Sequence, residues 1–310
     1  MAAKVYPAAF FYNESVPFRK YFTANRIVLA STLNTILLIN IGKPRDGVYF
    51  PPRKTHSEQK DWSMTTRNMN DWQTSICQIV NNEEEERIIV RGHDLNDLID
   101  EISFASMMFL MLQGHKPTPT QARVLDALLV ASMEHGIAPP SMVARCFASY
   151  GTSIQAAISS GINAFGVRMG GLGEQMAKFM VDTLADIAEG PVPGDVQLQN
   201  RATRLVAEIL ARGERVPGFG IPLHREDPRA AKVLEVAKQH GTFGLYGRFA
   251  EAMEVELAKA RGGRAVSMNL DGVGAAVILD LGFHWRSTRM FLLTPRSVSF
   301  GAHYLEEQEQ

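Results

Sequence analysis

Apolar residues are spaced differently before and after residue 60 of this 310-residue chain. From residue 61 onward they recur mostly at intervals of three and four residues, which is the spacing of an amphipathic helix. Before it, aromatic and β-branched residues stand among five prolines, and the run Ile27–Ile41 predicts one or two strands. The pattern predicts a mainly α-helical protein with a small β-containing N-terminal extension over residues 1–60.

Start and stop signals divide the helical part into separate elements. One helix is predicted from the capping residue Asp94 to Gly114, and a second from the capping box at Thr118 to Gly136. The last helix is predicted to begin at Thr294-Pro295, because a capping residue followed by proline favours a helix start. Other helices are predicted over residues 141–151, 152–166, 174–188, 196–212, 228–240, 244–260 and 273–282, and the last over 295–307.

Composition and charge narrow the classes of partner. Hydrophobic residues make up 45% of the chain, the formal net charge is −1 and the sequence pI is about 6.7. This balance provides no basic field for nucleic acid or an anionic membrane, and Ile27–Ile41 is too short and too polar to span a bilayer. The two cysteines, Cys77 and Cys146, are too few for a disulfide framework and lack metal-ligand spacing. We therefore expect a cytoplasmic protein with no metal, nucleic-acid partner or membrane.

Two titratable residues stand beside predicted helix ends. His135 is predicted in the last turn of a helix, where the partial negative charge favours a protonated imidazole. The same position is typical of a histidine that caps carbonyls or packs. Asp271 precedes a predicted helix, where a carboxylate is either an N-cap or a candidate general base.

Two arginines share a local context that suits a dicarboxylate. Arg229 and Arg296 each follow a capping residue and a proline, and helix N-termini and guanidinium groups both bind carboxylates. Either could equally be a solvated surface arginine. The loop Val216-Pro217-Gly218-Phe219-Gly220 has two glycines that would let its backbone approach a ligand closely. It matches no dinucleotide or phosphate-loop fingerprint.

Seven segments, in order, resemble the citrate synthase superfamily, and most closely its citryl-CoA lyase-like branch. The resemblance covers roughly Trp72 to Glu307. The segments are Arg91-Gly-His-Asp94-Leu, Gly114-His-Lys-Pro-Thr118, Glu134-His135-Gly136, Val216–Gly220, Asp227-Pro228-Arg229, Asn269-Leu-Asp271, and Arg296 followed by Gly301-Ala-His303.

The resemblance implies a fold with two helical domains and an active site between them. By analogy, residues 61–136 and 271–310 form the large domain and residues 137–270 the small one. The family implies a homodimer or a multiple of dimers. Its substrates are an acyl-CoA and a small carboxylic acid, so coenzyme A enters as a substrate, and no metal is implied.

The family's chemistry makes or breaks a carbon–carbon bond next to a CoA thioester. Asp271 matches the base that takes a proton from the acetyl methyl group, and His135 matches the residue that hydrogen-bonds the thioester oxygen. Arg229 and Arg296 match the arginines that hold the oxaloacetate carboxylates. The expected reaction is cleavage of citryl-CoA, or a close analogue, to acetyl-CoA and oxaloacetate.

The remaining matches concern coenzyme A and one missing histidine. The loop Val216–Gly220 matches the segment around the CoA adenine, and Arg264 lies where a phosphate-binding cation is expected. The histidine that normally polarises the oxaloacetate ketone is Ile221 here, and a second family histidine is Met169. His224 is the candidate replacement for the first.

The loss of that histidine keeps two alternatives open. A general acid contributes about 10²–10⁴ in rate, and Ile221 cannot donate a proton. One alternative is a Claisen-type condensation of an acyl-CoA with a different 2-oxo acid. The other is a catalytically degenerate family member that binds CoA.

Overall fold

A computed structural model describes residues 19–23, 26–30, 36–40, 73–83, 85–166, 170–221 and 226–310. The chain divides between Arg67 and Asn68 into two units. In the first unit, β1 (Arg19–Thr23), β2 (Arg26–Ala30) and β3 (Ile36–Asn40) form an antiparallel sheet in that order. Two of these strands lie within Ile27–Ile41 or overlap it, which confirms the predicted β content. The assignment of residues 61–136 with 271–310 and of 137–270 to two domains stays a prediction.

The second unit begins with a sheet that the hydrophobic pattern did not predict. Its antiparallel strands are β4 (Cys77–Asn81), β5 (Glu86–Val90) and β6 (His93–Asp94). The expectation of helix almost throughout from residue 61 is therefore wrong here. Strands β4 and β5 are largely exposed, so they lack the clean apolar alternation that identifies a half-buried strand.

The rest of the second unit is helical. Its described helices are α1 (Leu95–Glu101), α2 (Phe104–Gln113), α3 (Pro119–Met133), α4 (Pro139–Ser149), α5 (Ile154–Asn163), α6 (Leu172–Leu184), α7 (Asp195–Ala211), α8 (Pro228–Gln239), α9 (Leu245–Ala260), α10 (Leu270–Asp280) and α11 (Met290–Glu309). The mainly α-helical fold class is confirmed. Among the described helices, none is both long and apolar enough to cross a membrane.

Several predicted helix boundaries are wrong, including those of α1 and α2, of α3 and of α11. The helix predicted from Asp94 to Gly114 is two helices, because Ile102 is extended and the Ser103 side chain caps α2. Helix α3 ends at Met133, since Glu134 is extended, and His135 therefore follows the helix rather than lying in its last turn. Helix α11 begins at Met290 and contains Pro295.

Helix α10 lies at the centre of the core. Its residues from Gly272 to Leu279 are buried, and α3, α6, α8 and α9 pack around it. A helix that is apolar on all sides is enclosed by its neighbours, so its N-terminal turn holds a fixed position. That turn carries Asp271.

Candidate active site

Asp271 lies in the first turn of α10 and does not cap it. The N-cap is Asn269, whose side chain accepts the N–H of Gly272 at 3.1 Å. The interpretation of Asp271 as an N-cap is therefore wrong, and its carboxylate is available for another role. Burial raises the pKa of Asp271, while the positive charges of Arg229 and Arg296 oppose that rise. Both arginines are therefore close enough to Asp271 to affect its ionisation.

Arg229 is held by a buried carboxylate. Its Nε and Nη2 atoms donate to the two oxygens of Asp227 at 3.0 and 2.9 Å. Asp227 also accepts the backbone N–H of Arg229 and that of Leu270, each at 3.1 Å. Burial alone would raise the pKa of Asp227, but the Arg229 pairing and these hydrogen bonds hold it below its usual value. The pair thus joins the start of α8 to the start of α10.

Arg296 is buried and less completely paired. Its exposed fraction is 7%, and its Nε has no hydrogen-bond partner among the described residues. Glu134 Oε1 lies 3.9 Å from Nη1, outside hydrogen-bond distance. Burial lowers the pKa of Arg296, and Glu134 and Asp271 partly offset that effect. Because a buried donor without an acceptor is costly, Arg296 is suited to bind an anionic ligand, to which its Nε could donate.

His135 follows Glu134, which organises the corner between α3 and α4. Glu134 Oε1 accepts the backbone N–H groups of His135 and Gly136 at 2.8 and 2.6 Å. Its Oε2 accepts a hydrogen bond from Ser299 and lies 3.3 Å from His303 Nε2. No role for Glu134 was predicted from the sequence, although an acid beside a helix-end histidine was visible in Glu134-His135-Gly136.

The glycine loop Val216–Gly220 lies against the start of α10. Gly220 N–H donates to the Ser267 carbonyl at 2.9 Å, and Asn269 N–H donates to the Gly218 carbonyl at 3.0 Å. Gly218 has φ +84°, and a Cβ there would lie 2.8 Å from Gly272 Cα. Only glycine suits this combination of positive φ and close backbone contact. The loop is therefore held against Asn269 and Gly272, the residues on either side of Leu270 and Asp271.

Two cavities adjoin this part of the molecule. One, of about 30 Å³, is lined by Asp271, Ser132 and Thr288 among others, and has room for on the order of one or two waters. The other is an open pocket of about 330 Å³ whose lining includes Pro217, Lys178 and Arg215. The first is too small for a thioester substrate. The second brings two cations beside the glycine loop.

The other predicted residues are less well defined. Ile221 directly follows the loop and is half-buried, while His224 and Met169 lie outside the described residues. Arg264 is exposed, two residues before Val266, whose side chain borders Gly220. Across the described residues, no group of His, Cys, Asp and Glu side chains could hold a metal ion.

The fold and the order of these segments have clear counterparts among known proteins. The family model for the citrate synthase C-terminal domain matches residues 100–310. Since this is more than half of the chain, the protein belongs to the citrate synthase family. Within the superfamily it is a citryl-CoA lyase-like member: the citryl-CoA lyase structure from Hydrogenobacter thermophilus is 30% identical, with a TM-score of 0.67, covering 77% of this chain and 87% of that one.

Two further relatives mark the range of the likeness. "Putative citrate synthase 2" of Mycobacterium tuberculosis is 29% identical over 215 residues, which are 68% of this chain and 54% of the relative. The ATP citrate lyase of Methanothrix soehngenii, solved with citrate and coenzyme A, is 17% identical with a TM-score of 0.64 over 86% of this chain and 44% of that one. The second likeness concerns the fold alone. The chain spans about half the length of the curated relatives it matches.

Proposed function

We propose that this protein cleaves or forms a carbon–carbon bond next to a CoA thioester, with citryl-CoA, or a close analogue, as substrate and acetyl-CoA and oxaloacetate as products. One observation carries the proposal. Asp271, with a raised pKa, stands at the start of the central helix under the influence of Arg229 and of a buried Arg296 whose Nε has no partner among the described residues. Enol chemistry on a thioester requires a carboxyl group that can exchange a proton with the carbon, and the carboxylates of the other fragment require an anion site beside it.

The proposed cleavage transfers one proton away from the substrate hydroxyl and one onto the enolate carbon. The tertiary hydroxyl of citryl-CoA loses its proton, its C–O becomes the ketone of oxaloacetate, and the adjacent carbon–carbon bond breaks. The electron pair moves onto the acetyl-CoA enolate, whose oxygen is hydrogen-bonded by His135. Asp271 in its protonated form then gives its proton to the enolate carbon. Condensation is the reverse, with ionised Asp271 as the base. His224 is the candidate acceptor of the hydroxyl proton.

The carboxylates are assigned mainly to Arg296. Two donors of Arg229 are already bound to Asp227, so a ligand would meet the remaining edge of that guanidinium. The buried Nε of Arg296 lacks an acceptor in the described part of the chain, and a charge-assisted hydrogen bond to a carboxylate would satisfy it.

Coenzyme A is assigned to the glycine loop and the pocket beside it. The backbone of Val216–Gly220 would face the adenine. Lys178 and Arg215, which line the 330 Å³ pocket with Pro217, would face the phosphates, and Arg264 is a third cation near the loop. The fold relative from Methanothrix soehngenii holds citrate and coenzyme A, which supports this ligand class. We further propose a cytoplasmic homodimer, or a multiple of dimers.

The half-buried Ile221 favours a second candidate function. An apolar side chain where a ketone-polarising histidine is expected would suit a Claisen-type condensation with a 2-oxo acid of more apolar side chain. A CoA-binding member without catalysis is the third candidate, motivated by Ile221 and Met169.

Substitution of Asp271 tests the first proposal. Wild type and Asp271→Asn would be incubated with citryl-CoA, and oxaloacetate release would be followed. We expect turnover by the wild type and a loss of at least about 10²-fold in the variant, the order for removal of a general acid or base. Unchanged melting would show that the fold is retained, and equal turnover would refute the role of Asp271.

Calorimetry separates the alternatives. Titrations of CoA and of oxaloacetate would be followed by a screen of 2-oxo acids with acetyl-CoA, with detection of free thiol. CoA binding without dicarboxylate binding would favour the non-catalytic candidate. Thiol release with another 2-oxo acid alone would favour the second, and binding of neither ligand would contradict all three.

A further inference from the structure

We infer that Glu134 is a positioning residue that couples the carboxylate site at Arg296 to the backbone of His135. This inference rests on the proposed function for the roles of Arg296 and His135, and adds a residue that neither the family match nor the sequence pattern assigns. Glu134 interacts both with the backbone of His135 and with Arg296. Its two carboxylate oxygens make different contacts.

One oxygen fixes the conformation of His135. Oε1 accepts the N–H groups of His135 and Gly136, and Gly136 has φ +71°. Two hydrogen bonds from consecutive amides to one carboxylate oxygen hold the chain in a single turn at the end of α3. The position from which the imidazole projects thus depends on where the Glu134 carboxylate sits.

The other oxygen fixes the carboxylate to α11. Ser299 donates to Oε2, and the His303 ring lies 3.3 Å away. Both residues stand on the helix that carries Arg296, at three and seven positions along it. The corner that bears His135 is therefore tied to the helix that bears Arg296 through one side chain.

Arg296 completes the coupling through charge. The 3.9 Å separation between Arg296 Nη1 and Glu134 Oε1 is short enough for electrostatic attraction but is not a hydrogen bond, and the buried Nε of Arg296 has no partner among the described residues. Glu134 thus partly offsets the cost of burying the Arg296 charge without occupying the Nε donor that a ligand could bind. A ligand carboxylate arriving at Arg296 would also meet the negative charge of Glu134, so binding and the position of Glu134 influence each other.

Glu134→Gln separates these two effects. The amide oxygen can still accept the two N–H groups, but the charge facing Arg296 is removed. We expect citrate to bind about three- to tenfold more tightly, because a repelling charge that is 47% exposed is lost. We expect kcat for citryl-CoA to fall at the same time, because the Oε2 anchor to α11 is altered. If Glu134 only held the turn in place and had no electrostatic role, its substitution would not tighten citrate binding.

Two controls isolate the cause. Ser299→Ala removes one anchor and keeps the Glu134 charge, so kcat should fall while the citrate Kd changes less than about twofold. Glu309→Gln alters an exposed carboxylate at the last position of the same helix, away from Ser299 and Arg296, so neither quantity should change. Citrate Kd would be measured by calorimetry on the full chain, and kcat by oxaloacetate release.

The two measurements separate the role of Glu134 from the proposed reaction. Tighter citrate binding by Glu134→Gln, with no turnover of citryl-CoA by the wild type, would refute the proposed reaction and support the link to Arg296. Unchanged or weaker citrate binding by the variant would overturn the coupling even if the wild type turns over. Failure of the wild type to bind citrate would overturn it as well.

Discussion

Replacing Gly218 with alanine is expected to separate the glycine loop from α10 and to weaken CoA binding. Two costs can be worked from the structure. The positive φ of +84° costs about 1–2 kcal/mol for a residue with a Cβ. The new Cβ would also lie 2.8 Å from Gly272 Cα, a backbone atom of α10 that cannot rotate away, and such overpacking costs about 1–3 kcal/mol. The sum is about 2–5 kcal/mol of unfolding free energy.

Gly213→Ala provides the matched control. Gly213 has φ +72°, and a Cβ at this position would have no described atom within 4 Å, so only the conformational cost of about 1–2 kcal/mol applies. Urea unfolding of both variants, followed by circular dichroism, measures the difference. Calorimetry with CoA reports whether the loop has moved. Equal destabilisation by the two alanines, with equal CoA affinity, would refute the argument that Gly218 is required by the close approach to α10.

Two further substitutions test the Asp227–Arg229 pair and the buried Arg296. Asp227→Asn should lower the unfolding free energy by about 2–3 kcal/mol, less than a fully buried pair because Arg229 is 21% exposed. The folded pKa of Asp227 is depressed, so its contribution to the unfolding free energy is complete above the unfolded pKa near 3.8 and is lost as pH falls through the folded pKa. Urea titrations at several pH values should therefore show the unfolding free energies of wild type and variant becoming equal in acid. Arg296→Met should change stability by no more than about 1 kcal/mol, since it removes a buried charge that is incompletely paired, while citrate binding weakens by about ten- to a hundredfold through loss of charged hydrogen bonds. A large loss of stability without loss of citrate affinity would make Arg296 structural.

Local signals predicted the helices well where one residue sets the boundary. Thr118 forms the expected capping box with Gln121, and Asp227-Pro228 opens α8 as expected. The same rule is wrong at Thr294-Pro295, because the turn before the proline is already helical. The carbonyls of Thr288 and Arg289 accept N–H groups there, so α11 has begun before the proline that cannot donate.

The candidate site could be predicted only in part, because its decisive contacts are long-range. Family resemblance brought out Asp271 and the two arginines, and the structure places all three within electrostatic reach. Glu134 was missed because its partner Ser299 is 165 positions away in the sequence. Periodicity and capping rules describe neighbours along the chain, and they contain no information on which distant helix a side chain will meet.

The two arginines were equivalent in the sequence, and their different pairing predicts how the proton chemistry responds to substrate. Asp227 keeps Arg229 paired, whereas Arg296 has a buried Nε without a partner among the described residues that a ligand carboxylate could bind. Arg296 opposes the raised pKa of Asp271, so a carboxylate bound at Arg296 should offset that cation and raise the pKa of Asp271 further. Condensation needs ionised Asp271. The rising limb of the pH profile of kcat should therefore lie at higher pH than that of kcat/KM for the carboxylic acid, because kcat reports the complex and this kcat/KM reports the enzyme before the acid binds. Coincident limbs would mean that Arg296 and the bound carboxylate leave the base unaffected.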